Sequence, residues 1–202
     1  MRIFDPSDAP ATVKDLAALR SGVGLTLIRS VPITVTSAAL DLTGVFSAEY
    51  DTYELWVDRL VSESSGGDLQ IQFIASDGVI TSGYLTFSTG FNEIGTDYYA
   101  YQSMGGSVAF LSIDNSGSTT RSISARAELF VPPAGGAPAR PGWAARSWQG
   151  YANGANRHTL ASGQLDATGK DITGVRLRLG PSNIAPGLSG APSRVTIFGI
   201  RR

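Results

Sequence analysis

Glu54 and Asp58 flank Trp56 in the stretch EYDTYELWVDRL, Glu49 to Leu60, and two carboxylates beside an aromatic ring are the parts of a glycoside hydrolase. Such an enzyme sets its carboxyl groups ~5.5 Å apart or ~6.5 to 9.5 Å apart, according to its stereochemistry. Residues four apart on a strand stand roughly 13 Å from one another, at ~3.3 Å rise per residue. Glu54 and Asp58 are therefore too distant to be the pair. Glu49 and Asp51 could reach, as could Asp166 with a residue from elsewhere, but so could carboxylates in almost any domain. His158, the one histidine, lies in GANRHTLASG, and no G-x-S-x-G elbow or comparable nucleophile accompanies it. It reads as a surface or interface residue at a strand edge. DNSGS, Asp114 to Ser118, holds too few acidic oxygens for a calcium loop. With no cysteine, thiol catalysis and Cys/His metal clusters are excluded. No catalytic residue, metal site or cofactor is expected.

Aromatic residues are what remains. Tyr98, Tyr99 and Tyr101 fall in the glycine-flanked GFNEIGTDYYAYQSMGG, and Trp143, Trp148 and Tyr151 in PGWAARSWQGY. Exposed rings of this kind stack on sugars or anchor protein interfaces. Tyr98, Tyr99, Tyr101, Trp143 and Trp56 are accordingly the candidate ligand or interface residues, with the loop tyrosines either covering a sheet edge or facing a ligand. Trp148 is assigned to core or inter-sheet packing. In EYDTYELWVDRL the alternation places Tyr53, Leu55 and Val57 inward and Glu54, Trp56 and Asp58 on a face that is solvated or packed on a neighbouring subunit.

The elements that must position these residues are mostly strands. One segment has helical spacing: Val13, Leu16 and Leu19 recur in ATVKDLAALRSG, Thr12 can cap and Gly22 can end it. After Gly24 the chain reads as about nine strands, TLIRSVPITVTS, YELWVDRLVS, DLQIQFIAS, GYLTFST, SVAFLSI, RSISARAELFV, HTLASGQL, ITGVRLRLG and RVTIFGI. Leu69, Ile71 and Phe73 alternate with Gln70 and Gln72, and Val175, Leu177 and Leu179 with Arg176 and Arg178, so one face of each is core and the other wet or shared. Pro32 bends its strand or marks an edge. ESSGG joins two long strands as a hairpin would. No strand precedes a crossover helix, which excludes parallel βαβ architecture. The expected fold is all-β, an antiparallel β-sandwich of jelly-roll type with one short N-terminal helix.

The expected organisation is an arm at residues 1–22 and a single sandwich at 23–202, with long excursions at 90–106 and 131–143. The second excursion, VPPAGGAPARPGW, resembles a domain linker in composition, but the 59 residues beyond it could hardly close a core alone.

Charged residues are 16% of the 202, against roughly 25% in an average soluble domain, while 23 serines, 16 threonines and 24 glycines carry much of the surface. Such a surface suits packing against copies of itself, so a homo-oligomer is expected. The net charge of -1 with no basic run beyond Arg201 and Arg202 argues against nucleic acid. No signal peptide is visible, and no run approaches the ~18 apolar residues of a membrane span, so no membrane insertion is expected.

The run VFSAEYDTYELWVDRLVSESSGGDLQIQFIASDGVITSGYLTF resembles a stretch of tailed-bacteriophage virion proteins of tail-fibre, tail-tip or minor structural type. In these an opening of the type YDxYxLxxxxLxxxxxGxxLxLxFSxDGG leads into a β-sandwich. Tyr50, Asp51, Tyr53, Leu55, Leu60, Gly66, Leu69 and Phe73 sit where that pattern expects them, and Asp77 and Gly78 follow after a one-residue slip. SWQGYANG looks like a compressed GxYxN strand, ITGVRLRLGPSNIAPG like ITGIRxxxSSGNIxxG, and VTIFGIRR like a closing xIxLYGI. The likeness runs from Phe46 to Ile200. It departs at the long proline-rich excursion and at LGPSN, which replaces a simpler serine-rich turn.

The resemblance implies a non-enzymatic structural component of the virion, a tail tip, fibre or spike, assembled in the host cytoplasm among other virion proteins. Its arm would attach it, and its distal loops would touch a host cell-surface glycan. The alternative in the same class is a capsid decoration or head-fibre protein. Outside that class stand a cellular carbohydrate-binding module and a polysaccharide depolymerase.

Overall fold

The computed structural model describes residues 24–50, 52–64, 67–92, 98–112, 120–132, 140–151, 156–167, 169–187 and 192–200. The expected helix and the whole of the arm lie outside these residues, as does DNSGS. The described strands are β1 (Leu25–Pro32), β2 (Leu40–Leu42), β3 (Thr52–Ser62), β4 (Asp68–Ala75), β5 (Gly78–Val79), β6 (Tyr84–Asn92), β7 (Tyr98–Gly106), β8 (Ala109–Phe110), β9 (Thr120–Phe130), β10 (Gly142–Tyr151), β11 (Asn156–Leu165), β12 (Ile172–Gly180), β13 (Ile184–Ala185) and β14 (Arg194–Ile200).

They form two antiparallel sheets. The larger runs β1-β14-β3-β9-β10-β11-β6-β7 with β13 on β3, and the smaller runs β2-β12-β4-β5 with β8 on β4. The chain crosses repeatedly from one sheet to the other, as in a jelly roll. Strands from beyond the proline-rich excursion interleave with earlier ones: β10 pairs with β9, β14 with β1 and β3, and β12 with β2 and β4.

The core lies between the sheets. Tyr53, Leu55 and Val57 of β3 face it, as do Ile71 and Phe73 of β4 and Val175 and Leu177 of β12, all fully buried. The Tyr53 hydroxyl satisfies its burial by accepting from the Ser47 N–H at 2.8 Å and lying 3.0 Å from the Tyr50 carbonyl, to which it can donate. After Val57 the β3–β9 register shifts. Arg59 takes a positive φ of 52° there, a conformation few non-glycine residues adopt. Its N–H donates to Ser124 Oγ at 3.1 Å and its carbonyl accepts from Ser193 Oγ at 2.6 Å. This bulge changes the strand's phase and turns Leu60 inward.

Three expectations are corrected. ESSGG does not close a hairpin: β3 belongs to the large sheet and β4 to the small one, so the segment carries the chain across the sandwich. The excursion at 90–106 is mostly ladder, since the ends of β6 and β7 pair from Phe91↔Tyr98 to Tyr84↔Gly106. The one at 131–143 links the neighbours β9 and β10, and its last two residues already belong to β10. The glutamine face of β4 is shared rather than wet, one of the two states expected of it. Gln70 and Gln72 are buried, and Gln72 Nε2 donates to the Ser107 carbonyl at 2.9 Å, because the chain leaving β7 covers this face. Pro32 ends β1 at the edge of the large sheet, where a missing N–H costs no ladder bond.

Candidate functional site: a trough on the outer face of the large sheet

Cross-strand partners share a face of a sheet, so the register assigns the outer face row by row. One row is Glu54, Glu128, Ala144, Ser162, Phe87, Gln102, crossing β3, β9, β10, β11, β6 and β7. The next is Trp56, Arg126, Arg146, Leu160, Thr89, Ala100. The third, two residues further on, is Trp148, His158, Phe91, Tyr98. The face is dished. A cavity of about 940 Å³ lies over the first two rows and one of about 520 Å³ over the last two.

The polarity of the sheet is inverted over part of β10, β11 and β6, whose inward faces elsewhere carry the buried Trp143, Ala145, Ala161, Leu165 and Tyr84. Inward positions hold Ser147, Thr159, Thr86 and Ser88, all buried, while Trp148, Leu160, Phe87 and Phe91 point to solvent on the same strands. Leu160 is 64% exposed and Trp148 41%. An ordinary sandwich strand does the reverse, and a cluster of exposed apolar side chains marks a contact surface rather than scattered exposure. Phe91 and His158 stack at 4.9 Å between centroids with planes 13° apart, and Trp148 meets His158 edge-on at 6.1 Å and 81°. The rings thus form a continuous ladder across adjacent strands.

The charges are graded along the trough. Glu54 and Glu128 stand directly opposite one another at one end, and Arg126 and Arg146 oppose one another in the next row. Arg126 is compensated: its guanidinium reaches Asp58 at 3.1 Å and lies 3.9 Å over the Trp56 ring. Arg146, exposed on the central strand, forms no ion pair with a carboxylate among the described residues; its guanidinium lies 5.8 Å from the Trp148 ring centre. No group of three or more His, Asp or Glu among the described residues could hold a metal ion.

The five aromatic candidates separate. Tyr98 is 85% exposed at the β7 flank of the trough. Trp56 stands at the β3 flank with one face under Arg126, Phe198 at 4.7 Å, and its indole N–H donating to Glu54 at 2.7 Å, so it serves as a fixed wall. Tyr99 turns to the opposite face, where its hydroxyl pairs with that of Thr159. Tyr101 also turns away and sets its ring edge-on against Phe110 of the small sheet at 5.2 Å. Trp143 corrects the expectation of an exposed ring: it is 4% exposed and packs against Phe73 and Tyr84 at 6.4 and 6.1 Å. Trp148, assigned to the core, is a correction of the opposite sign.

Strand parity explains both. Trp143 and Trp148 are five residues apart on one strand, so they cannot share a face. His158 lies within β11, in the ring ladder, rather than at a strand edge. Phe87, Phe91 and Leu160 are not legible as site residues in the sequence because large apolar side chains are expected to point inward, and no local pattern marks Arg146. The signal for the three apolar residues was the hydroxyls of Thr86, Ser88 and Thr159 on the alternate positions. Asp58 is engaged with Arg126, and the carboxylate neighbour of Glu54 is Glu128, brought there by sheet pairing.

Compared with known proteins, the chain matches no family model, and no curated protein or solved structure is significantly similar to it.

Proposed function

We propose that this chain is a non-catalytic structural subunit of a tailed-phage particle, and that the trough on its large sheet holds a glycan of the host surface. The particle assignment rests on the sequence resemblance between Phe46 and Ile200. The binding role rests on one observation, the inverted face on which Trp148, Phe91, Leu160 and Tyr98 point outward over small inward hydroxyls. Aromatic side chains offer sugars an apolar surface with little rotamer entropy to lose. Each site would be weak, and many copies on one particle would raise the avidity.

A glycan array probed with the purified chain tests this reading. Binding should be lost in Tyr98→Ala and Trp148→Ala and kept in Val35→Ser, an exposed position outside the trough. Equal binding by all of them would remove the trough from the account. Imaging of labelled subunits on particles would distinguish a tail tip or fibre from a head decoration.

A second reading is favoured by Glu54 and Glu128. Side chains directly opposite on antiparallel strands have Cβ atoms about 4.5–5.5 Å apart, which is near the ~5–5.5 Å spacing of carboxyl groups in retaining glycosidases. A polysaccharide depolymerase would release reducing ends from host envelope polysaccharide and lose that activity in Glu128→Gln. No release by the wild-type chain removes this reading.

A further inference from the structure

We infer that the ligand of this trough is an acidic glycan, with the carboxylate or sulfate of one sugar held by Arg146 and the sugar ring lying against Trp148. The inference rests on the reading of the trough as a glycan site and adds its chemical class.

The argument begins with placement. Arg146 borders both cavities and so sits where they meet, on the central strand β10. Its directly opposed neighbour on β9 is another cation, Arg126, and like charges opposite one another destabilise a sheet pair. Asp58 and Trp56 relieve that repulsion on the Arg126 side only. The Arg146 side is left with a guanidinium that has no carboxylate among the described residues and a tryptophan beside it. Guanidinium is a flat fork that grips carboxylate and sulfate through two parallel hydrogen bonds. An anion at this point would complete the charge pattern that the sheet leaves open.

The same pattern orients the chain. Glu54 and Glu128 make the far end of the large cavity acidic, so it would repel a second acidic sugar and accept a neutral one. A ligand with spaced acidic residues, rather than a uniformly charged polyanion, fits the gradient. Phosphate-rich nucleic acid fits it poorly, because only one uncompensated cation faces the trough among the described residues.

The test is a glycan array containing uronic, sialic and sulfated glycans beside neutral ones, probed with wild type, Arg146→Ala and Arg146→Lys, and followed by titration of the best ligand and its carboxyl-reduced form. Arg146 is exposed, so the variants should fold, with melting temperatures as the check. Binding should be confined to acidic glycans and fall at least tenfold in Arg146→Ala. It should be partly kept in Arg146→Lys and should weaken with added salt. Reducing the carboxyl should weaken wild type as much as Arg146→Ala does, with no further loss in the variant. Binding to neutral glycans that ignores Arg146 would overturn the acidic class and leave the glycan reading standing. Binding to neither class would overturn both, and so would a dimer dispersed by Leu160→Asp, since the trough would then belong to a second copy of the chain.

Discussion

Phe91 and His158 stack face to face across the β6–β11 pair, their centroids 4.9 Å apart and their planes 13° from parallel. Each ring hides a face against the other. The pair should therefore couple in stability. Phe91→Ala and His158→Ala, measured singly and together by urea unfolding, should give an interaction energy of about 0.5–1.5 kcal/mol. Strict additivity would mean that the stack contributes nothing.

Side-chain direction should outweigh side-chain type. Truncation of Leu177, Ile71, Phe73 or Val175 to alanine should cost about 2–5 kcal/mol, since each is fully buried between the sheets. Leu160→Ala removes the same atoms as Leu177→Ala from an exposed position and should stay within about 0.5 kcal/mol of wild type. Parallel chemical denaturation of the two leucine variants checks the register of both sheets at once.

Tyr84 makes the fold sensitive to alkali. Burial pushes its phenol well above the usual tyrosine range, against the opposing effect of the Phe73 N–H, which donates to its oxygen at 2.7 Å. The hydroxyl in turn donates to the Ile80 carbonyl at 3.1 Å. A folded-state pKa above the unfolded one means that the native state binds the proton more tightly. The contribution is complete below about pH 10 and is lost as pH rises beyond it. Tyr84→Phe should cost about 1–3 kcal/mol at neutral pH, by stranding the Phe73 N–H, and should flatten the fall in stability above pH 10. A wild-type melting temperature that does not fall there would contradict this.

On the small sheet, Arg176 grips Asp41 with Nε at 2.7 Å and Nη2 at 2.8 Å. The hydrogen bond and charge of that guanidinium hold the Asp41 carboxyl below the usual aspartate range, against a smaller desolvation effect. A lowered folded-state pKa gives stability that is present above the ordinary aspartate value and lost as pH falls through the folded one. Both partners are about a third or more exposed, so solvent screens the pair. Asp41→Asn should cost no more than about 1 kcal/mol at pH 7, and the difference from wild type should vanish under acid titration followed by circular dichroism.

The alternation of Leu69, Ile71 and Phe73, and of Val175 and Leu177, made the sandwich legible in the sequence, because both strands bury those side chains in a single apolar layer. β7 and β10 were hidden because glycines, prolines and aromatics look like loop chemistry until a neighbouring strand supplies the ladder. The trough was hidden for another reason. Phe87 and Leu160 carry the same hydrophobic signal whether they point in or out, and only pairing with neighbours decides it. Likewise the approach of Glu54 to Glu128, 74 positions along the chain, is a property of sheet order that no local spacing contains.

The inverted face has a calorimetric consequence. Apolar surface that is already wet in the native state adds nothing to the heat-capacity increase on unfolding, and its burial on association gives a negative heat-capacity change. A sandwich that carries Trp148, Phe91, Phe87 and Leu160 outside thus folds on only part of its hydrophobic content. The remainder stays wet in the isolated chain.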